Sequence, residues 1–447
     1  MRRFHSFYCN FETPKIPFLR TSISKNISNP QEFKQQLLTW SQTHREVTFL
    51  DSNNHNDAYS QYDCILAVDA FTSLKTDYFN AFDDLKQYQQ TTQDWLFGYL
   101  TYDLKNDVEV LYSANYDGLQ FPDLFFFQPK KLFLLRGNVL EMQYLSMCDD
   151  EIEDDFHSIQ NVTDNSQPTT HSAFTIQQRI SKEQYLDKVD GLLQRIHQGD
   201  IYEVNFCMEF YAENATIPPL EKFLKLNQIS EPPLAVFFKN NQHFVLSASP
   251  ERYLKKVGNQ IISQPIKGTS KRFVEKEDDD QSKANLQQDP KERSENIMIT
   301  DLVRNDLSRT AEKGSVKVTE LCGIYSFRQV HQMISTITST LRADCSPIEV
   351  LRTTFPMGSM TGAPKISALK IIEDTEASKR GLYSGAVGYF TPDGDFDFNV
   401  VIRSILYNQE RQYVSFSVGS AITSLSIPEK EYEECMLKAK AMFEVLQ

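Results

Sequence analysis

Short runs of apolar and aromatic residues recur through the first 150 residues of the chain, and they constrain its fold class most strongly. The clearest lie at residues 47–50 (VTFL), 64–71 (CILAVDAF), 95–104 (WLFGYLTYDL) and 124–135 (LFFFQPKKLFLL). Polar, helix-compatible pieces such as residues 29–42 alternate with them. Short apolar runs bounded by polar segments are typical of β-strands. The pattern therefore predicts a mixed α+β structure with a substantial sheet.

Composition bounds the classes of partner that such a chain can bind. The 447 residues are 40% hydrophobic and 24% charged, an ordinary globular balance, and the formal net charge is −14. This charge disfavours nucleic acid and anionic membrane surfaces as partners, so an anionic substrate needs local cations or a metal. None of the seven Cys residues forms a Cys-x-x-Cys pair. We therefore expect reduced thiols, a cytoplasmic protein and no membrane partner.

Shifts in composition divide the chain into three regions. Residues 1–150 form the N-terminal α+β region, which we expect to be intertwined with the rest. Residues 151–173 are acidic and then rich in Asn, Ser, Thr and Pro, which predicts a linker. Residues 174–447 form the predicted catalytic domain.

The segment at residues 247–272 (SASPERYLKKVGNQIISQPIKGTSKR) carries an acid and an amine. Two β-type runs flank Gly258-Asn259, which predicts a hairpin that brings Glu251 and Lys267 close together. Pro and Gly on either side of Lys267 favour a turned backbone that presents its side chain. Burial of such a lysine is expected to lower its pKa and make it a nucleophile. A solvated hairpin with surface charges is the alternative.

Carboxylates on two predicted helices form a possible metal site. A helix over residues 291–307 places Glu295 on its apolar face, where a carboxylate needs a cation or a metal. In the C-terminal helix that starts at Pro428, Glu431, Glu434 and Lys438 share one face at positions i, i+3 and i+7. Two carboxylates one turn apart can form half of an oxygen-ligand Mg²⁺ site. The same spacing is also common on solvated helices.

The charged residues 273–290 between the hairpin and the first helix predict a mobile surface loop, or a lid.

Two further strands and the small-residue end of a third supply further candidates. Arg403 is expected on the strand NVVIRSILY, where it could clamp a carboxylate. Small residues around Gly419 permit a ligand to approach the backbone. Glu203 and Asn205 share one face of the strand that follows a helix beginning at Ser181 and ending at Gly199.

Taken together, these segments resemble the chorismate-utilising enzymes, strongly over residues 175–447 and more weakly before them. The shared motifs, in order, are GDIYEVN (199–205), SPER (249–252), PIKGT (265–269), Glu295 with DLVRND (301–306), VH (330–331), FPMGSMTGAPK (355–365), IRS (402–404) and PEKEYEE (428–434). The resemblance implies an α+β fold: a large two-sheet β-sandwich with surrounding helices.

Lys267 indicates the branch within this family. Pro-Ile-Lys-Gly-Thr resembles the branch that forms aminodeoxychorismate, whereas the anthranilate-forming branch typically has Ala in place of this lysine. Glu203 departs from the pattern, because the amine-adding enzymes usually have Gln at this position. The anthranilate-forming branch remains the nearest alternative, and a catalytically silent chorismate-binding subunit is the alternative from another class.

The resemblance also implies roles for the candidate residues. Glu251 is the expected general acid and Lys267 the expected nucleophile. The expected Mg²⁺ ligands are Glu295, Glu431 and Glu434. The expected substrate contacts are Thr269, His331, Arg403, Gly419 and Lys438. Ammonia is the co-substrate. Because none of the Cys residues stands in a Gly-x-Cys-x-Gly setting, we expect the ammonia to come from a separate glutamine amidotransferase subunit or from solution.

Overall fold

The computed structural model describes residues 19–55, 58–162, 174–328 and 330–447. The helices within these ranges are α1 (Pro30–Trp40), α2 (Ala81–Thr92), α3 (Lys105–Val108), α4 (Ile152–Gln160), α5 (Lys182–Gln198), α6 (Pro219–Ser230), α7 (Lys276–Gln288), α8 (Pro290–Ser308), α9 (Pro347–Thr354), α10 (Lys365–Thr375) and α11 (Pro428–Leu446).

The strands alternate with these helices along the chain. They are β1 (Arg20–Asn26), β2 (Glu46–Asp51), β3 (Cys64–Thr76), β4 (Leu96–Leu100), β5 (Leu124–Arg136), β6 (Val139–Leu145), β7 (Gln177–Gln178), β8 (Glu203–Ala212), β9 (Leu234–Asn240), β10 (His243–Ser249), β11 (Arg252–Val257), β12 (Gln260–Gln264), β13 (Ile266–Lys271), β14 (Lys317–Ser326), β15 (Val330–Thr340), β16 (Gly362–Ala363), β17 (Ala386–Phe390), β18 (Phe396–Val400), β19 (Ser404–Asn408) and β20 (Tyr413–Thr423).

Hydrogen bonds join these strands into one network of 20 strands within the described residues. Strands of the first 150 residues pair directly with later ones: β2 with β9 and β4 with β17, both antiparallel. The long strand β5 pairs with β4 through its first half and with β6 through its second half, so it runs through both parts of the network. The N-terminal and C-terminal regions therefore share their sheets.

The apolar side chains form two large clusters that lie on opposite faces of the central strands. Along β9, Ala235 and Phe237 belong to one cluster while Val236 and Phe238 belong to the other, as the alternation of side chains in a strand requires. Inward-facing residues of β4, β11, β17 and β18 contribute to the second cluster. This cluster therefore lies between two layers of strands, and helices such as α1, α5 and α11 cover the first cluster. The predicted α+β class is confirmed.

Local signals in the sequence account for the bounds of several elements. Ser181 caps α5 in a capping box with Gln184, and Gly199 ends the helix in the left-handed conformation, both as expected. Pro428 opens α11. The predicted hairpin forms from β11 and β12, whose register pairs Val257 with Gln260.

Two segments differ from the sequence expectation. Within the expected linker 151–173, residues 152–160 form α4, whose Ile152, Phe156 and Ile159 pack into the first cluster. Apolar residues at i, i+4 and i+7 give this helix one buried face. Residues 163–173 of that linker lie outside the described residues. The expected loop at residues 273–290 contains the helix α7, which is almost entirely polar. In the part of the chain that the structure describes, no helix is long and apolar enough to cross a membrane.

Candidate active site

A cavity of about 480 Å³ opens between the strands β8, β13, β15 and β20 and the helices α8 and α11. Eight of the ten residues with an expected catalytic, metal-binding or substrate-binding role line it: Glu251, Lys267, Thr269, Glu295, Arg403, Gly419, Glu434 and Lys438. Residues distant in sequence therefore meet at one site of a size that suits a small molecule.

Glu251 is the buried acid of this cavity. It lies between β10 and β11, directly before β11, and only 4% of the residue is exposed. Burial raises the pKa of its carboxyl to about 7, although a hydrogen bond from the Ser359 hydroxyl and the charge of Lys267 oppose the shift. At neutral pH a large fraction of this side chain is protonated, so it can donate a proton to a ligand.

The backbone of β13 directs Lys267 into the cavity. The register between β13 and β15 shifts between Ile266 and Thr269, which is a bulge, and Gly268 within it has φ +99°. A bulge of this kind changes the direction of a side chain. Asn296 Nδ2 donates to the carbonyl oxygen of Lys267 at 3.1 Å and holds the turn in place.

Lys267 pairs with Glu203, which lies at the start of β8. The Lys267 Nζ and Glu203 Oε1 atoms are 3.2 Å apart, and the two side chains are 11% and 1% exposed. Burial alone lowers the pKa of Lys267, but the carboxylates of Glu203 and Glu295, with a smaller contribution from Glu251, raise it above its usual value. The expectation of a lowered pKa is therefore wrong for this arrangement of charges, because the lysine faces several carboxylates at once.

On the helical side of the cavity, Lys291 of α8 stands against two of the predicted metal ligands. Its Nζ lies 3.1 Å from Oε1 of Glu431 and 3.7 Å from Oε1 of Glu295. Burial raises the pKa of Glu295 to about 8, and the neighbouring charge of Glu203 adds to the shift. Glu431 is buried and, unlike Glu295 and Glu434, does not line the cavity. An ammonium group thus already occupies the space between these carboxylates.

Glu434 and Lys438 form a second pair on α11, one turn apart. Lys438 Nζ lies 2.5 Å from Oε1 of Glu434 and donates to the carbonyl oxygen of Gly419 at 2.9 Å. Burial favours a raised pKa for Glu434, but Lys438 lowers it below the usual value overall. Gly419 lines the cavity, but a side chain at this position would clash with the neighbouring strand β8, because a Cβ atom would lie 2.6 Å from the Cys207 Sγ atom.

The carboxylates fit a divalent cation in some respects. Within the described ranges, no three His, Cys, Asp or Glu side chains already form a metal-binding group. However, Oε1 of Glu295 and Oε2 of Glu431 are buried and have no hydrogen-bond partner among the described residues, and such oxygens gain from a cation. Lys291 already places a positive charge beside both residues. The donor set therefore suits a hard cation such as Mg²⁺ once the lysine moves aside.

Arg403 lies in the turn between β18 and β19 rather than on a strand, which corrects the sequence expectation. It has φ +52°, a left-handed conformation that costs energy for a residue with a side chain. Burial lowers its pKa, while Tyr383 and Glu434 oppose that shift. Its guanidinium faces the cavity in a position to meet an anionic ligand.

His331 does not line the cavity, in contrast to the expectation. It lies on β15 between Val330 and Gln332, both of which line the cavity, and side chains alternate between the faces of a strand. The His331 Nε2 atom lies 3.1 Å from Oδ1 of Asp279 on α7, and the Ser326 hydroxyl lies 2.8 Å from its Nδ1 atom. His331 therefore contacts α7 instead of the cavity.

A family model described as chorismate binding enzyme matches residues 36–444 of the chain. The chain belongs to this family. The predicted family is thereby confirmed, and the cavity described above is the candidate active site of a chorismate binding enzyme.

Curated relatives include proteins of two activities. The chain is 41% identical over 264 residues to the chloroplastic aminodeoxychorismate synthase of Arabidopsis thaliana, which covers 58% of this chain and 28% of that protein. It is 36% identical over 271 residues to aminodeoxychorismate synthase component 1 of Escherichia coli, covering 61% and 59%. It is 31% identical over 357 residues to anthranilate synthase component 1 of Thermus thermophilus, covering 78% and 77%. The chain thus spans between about a quarter and three fifths of the length of the two aminodeoxychorismate synthases.

Solved structures of the family share the fold. Anthranilate synthase component I from Streptococcus pneumoniae superposes with a TM-score of 0.76 at 23% identity, covering 87% of this chain and 93% of that one. The predicted fold of the chorismate-utilising enzymes is confirmed by this match.

Gln332 and Lys291 are among the cavity residues of this chorismate binding enzyme that the sequence did not predict. Gln332 is 4% exposed and its Oε1 atom has no hydrogen-bond partner within the described residues. The alternation along β15 shows that either His331 or Gln332 enters the cavity, but the sequence does not show which. Lys291 precedes Glu295 by one helical turn, and this spacing could have indicated their ion pair.

Proposed function

We propose that the chain catalyses the first step from chorismate to 4-aminobenzoate, in which chorismate and ammonia give 4-amino-4-deoxychorismate. The observation that carries the proposal is that Lys267 and Glu251 share one cavity, with the pKa of Glu251 at about 7. The relatives named aminodeoxychorismate synthase support this assignment. The reaction would serve folate synthesis in the cytoplasm.

Glu251 and Lys267 have complementary roles in this reaction. Glu251 protonates the C4 hydroxyl group of chorismate, which then leaves as water. The Lys267 amine adds at C2 as both conjugated ring double bonds shift and the C4–O bond breaks, and a covalent adduct forms. Ammonia then attacks C4, both ring double bonds shift back and the lysine leaves from C2. The enolpyruvyl group stays on the product.

Mg²⁺ would be held by Glu295, Glu431 and Glu434, directly or through water. When bound, the ion neutralises charge between these carboxylates and the dianionic substrate. Lys291 must leave its position beside Glu295 and Glu431, and its side chain is 33% exposed, so it can turn towards solvent. Within the described residues, Glu295 and Glu431 each have a buried oxygen without a hydrogen-bond partner, which supports this assignment.

The remaining cavity residues orient the substrate. Arg403 faces the cavity as a cation and can bind a carboxylate of chorismate. Lys438 can bind another if it releases Glu434. Thr269 is exposed at the rim, and the backbone at Gly419 completes the wall.

A separate glutamine amidotransferase subunit would supply the ammonia. The name component 1 of the Escherichia coli relative supports a partner for that protein, and none of the Cys residues here has the surroundings of a glutaminase nucleophile. Free ammonia should replace the partner as the nitrogen donor when turnover is measured.

Intact-protein mass spectrometry of the chain with chorismate and Mg²⁺, without ammonia, tests the proposal. We expect a chorismate-derived mass on the wild type that Lys267→Ala lacks. Lys267→Arg serves as the matched control, because it keeps the positive charge but cannot form the adduct. Absence of any adduct would contradict the mechanism.

Anthranilate synthesis is the second candidate, since the Thermus thermophilus relative matches over 78% of this chain. Product identification after ammonia is added separates the two. Anthranilate would reassign the enzyme, and chorismate binding without turnover would indicate a silent subunit.

A further inference from the structure

We propose that Glu203 is a catalytic base that takes a proton from Lys267 before the lysine attacks chorismate, and returns it when the lysine leaves. The inference rests on the proposed function and adds a residue to its mechanism. It concerns a position at which the sequence departs from the amine-adding enzymes it resembles.

The backbone holds Glu203 firmly at the reacting nitrogen. It lies at the first position of β8, where its register pairs it with Thr423 of β20 and with Ala363 of β16. From there Oε1 reaches Nζ of Lys267 at 3.2 Å, and Glu203 is 1% exposed. Its Oε2 atom is buried without a hydrogen-bond partner in the described residues. One carboxylate oxygen thus contacts the ammonium, and neither oxygen is occupied by another donor.

A base is needed because an ammonium group has no lone pair with which to attack carbon. The carboxylates around Lys267 hold its proton in place. Besides Glu203 on β8, the titratable groups near it are Glu251 after β10, Glu295 on α8 and Glu434 on α11. Glu251 acts as a proton donor, and the two helical carboxylates are assigned to the metal. Glu203 is the remaining acceptor, and it makes the shortest contact.

The protons balance over the whole cycle. Glu203 accepts a proton from the Lys267 ammonium, and the free amine forms the N–C2 bond while the C4–O bond breaks. Glu251 gives its proton to the leaving hydroxyl group, which departs as water. Ammonia then forms the C4–N bond, the N–C2 bond breaks, and Lys267 leaves with its electron pair and recovers the proton from Glu203. Glu251 recovers its proton from the new C4 ammonium group. The sum is chorismate and ammonia to 4-amino-4-deoxychorismate and water.

The rate of adduct formation against pH tests this role. The enzyme is mixed with chorismate and Mg²⁺ without ammonia, and the adduct is followed by intact mass between pH 6 and pH 9. Glu203→Gln keeps the shape of the side chain and its hydrogen-bond acceptor but cannot hold a proton. At pH 7 we expect the rate of adduct formation in this variant to be at least roughly tenfold lower than in the wild type. Its rate should then rise by about tenfold per pH unit relative to the wild type, as solvent removes the proton instead.

Two further variants separate a base from a merely structural carboxylate. Glu203→Asp retains a carboxylate, so it should keep the wild-type pH dependence even where its rate is lower. Glu209→Gln removes another buried carboxylate of β8, one that pairs with Arg179 away from the cavity, and it should leave the pH dependence unchanged. Thermal unfolding of each variant establishes that it is folded.

The outcomes distinguish this inference from the proposed function. If the wild type forms the adduct and Glu203→Gln matches it in rate and pH dependence, Glu203 is not the base and the proposed function stands. If Glu203→Asp shows the altered profile of Glu203→Gln, the base role is also contradicted. If the wild type forms no adduct and makes no product, the proposed function fails and the role of Glu203 falls with it.

Discussion

The two walls of the cavity each set a lysine against carboxylates, yet they differ in how firmly they hold it. On the strand wall, the side chains of Lys267 and Glu203 are 11% and 1% exposed. Lys267 lies on β13, which pairs with β15, and Glu203 lies on β8, which pairs with β20. On the helical wall, Lys291 is 33% exposed, and Glu431 and Glu295 face it from α11 and α8. The first pair cannot separate without leaving a charge buried, whereas Lys291 can move into water.

This difference indicates two uses for the same kind of ion pair. A buried pair with fixed geometry suits movement of a proton between its members, because the distance between them changes little. A pair with a mobile lysine suits exchange of one cation for another. We therefore expect changes on the strand wall to affect the chemical step and changes on the helical wall to affect the metal.

The largest effect should follow from loss of the acid beside the strand wall. Glu251→Gln should lower the rate of chorismate amination by about 10²–10⁴-fold, because the departing hydroxyl group loses its proton donor. The wild-type rate should also fall as pH rises through about 7, where this raised pKa leaves the carboxyl ionised, and the variant should lack that decline. Glu444→Gln, on the cavity rim, is the control and should stay within about twofold. Equal loss in both variants would contradict the assignment.

Mg²⁺ binding should respond to the helical wall. Lys291→Met removes the ammonium that competes for Glu295 and Glu431, so the affinity for Mg²⁺ should rise by roughly three- to tenfold. Isothermal calorimetry without substrate measures this directly. Lys440→Met removes a lysine of α11 that lines the cavity and, among the described residues, pairs with neither carboxylate, so it should have a smaller effect. Unchanged or weaker binding in Lys291→Met would show that the metal lies elsewhere.

The stability of the metal-free protein should depend on pH through Glu295. Its pKa in the folded protein is about 8 against a usual value of 4.5, so the folded state holds this proton more tightly than the unfolded state. The resulting stability is fully present below pH 4.5 and is lost as pH rises through 8. Relative to the wild type in EDTA, Glu295→Gln should therefore gain roughly 1–3 kcal/mol in unfolding free energy between pH 5 and pH 8. Urea titrations at both pH values test this, and a difference independent of pH would contradict it.

The smallest catalytic effect should come from His331. His331→Asn weakens the contact to Asp279, so amide hydrogen exchange in α7 should quicken by roughly tenfold, while the catalytic rate stays within about threefold because the side chain faces away from the cavity. Gln332→Ala is the matched change on the other face of β15. A large loss of rate in His331→Asn with unchanged exchange would place the histidine at the substrate after all.

Local signals in the sequence predicted the elements that carry the site. Gly258 predicted the hairpin, Ser181 and Gly199 the bounds of α5, and Pro428 the start of α11, because each residue acts through its own backbone conformation or its nearest neighbours. The motifs also indicated the family. These features depend on few residues and can be predicted without knowledge of the tertiary structure.

Features that depend on packing could not be predicted in the same way. The helix α7 is almost wholly polar, and it is held in part by Asp279, which pairs with Arg272 and with His331 from other elements. The raised pKa of Lys267 arises from carboxylates on separate elements. Such properties depend on contacts between residues that are distant in sequence, and the hydrophobic periodicity of the sequence does not indicate those contacts.

The separation of the site residues along the chain has a consequence for folding. Glu203 is placed by β8, which pairs with β20 near the far end of the sequence, and Lys267 by β13 within a different part of the network. Long-range strand pairs of this kind form slowly, because distant segments must first meet. A refolding chain should therefore regain most of its helices before it regains any chemistry. The time course of recovered activity during refolding then reports when the last contacts of the sheet form.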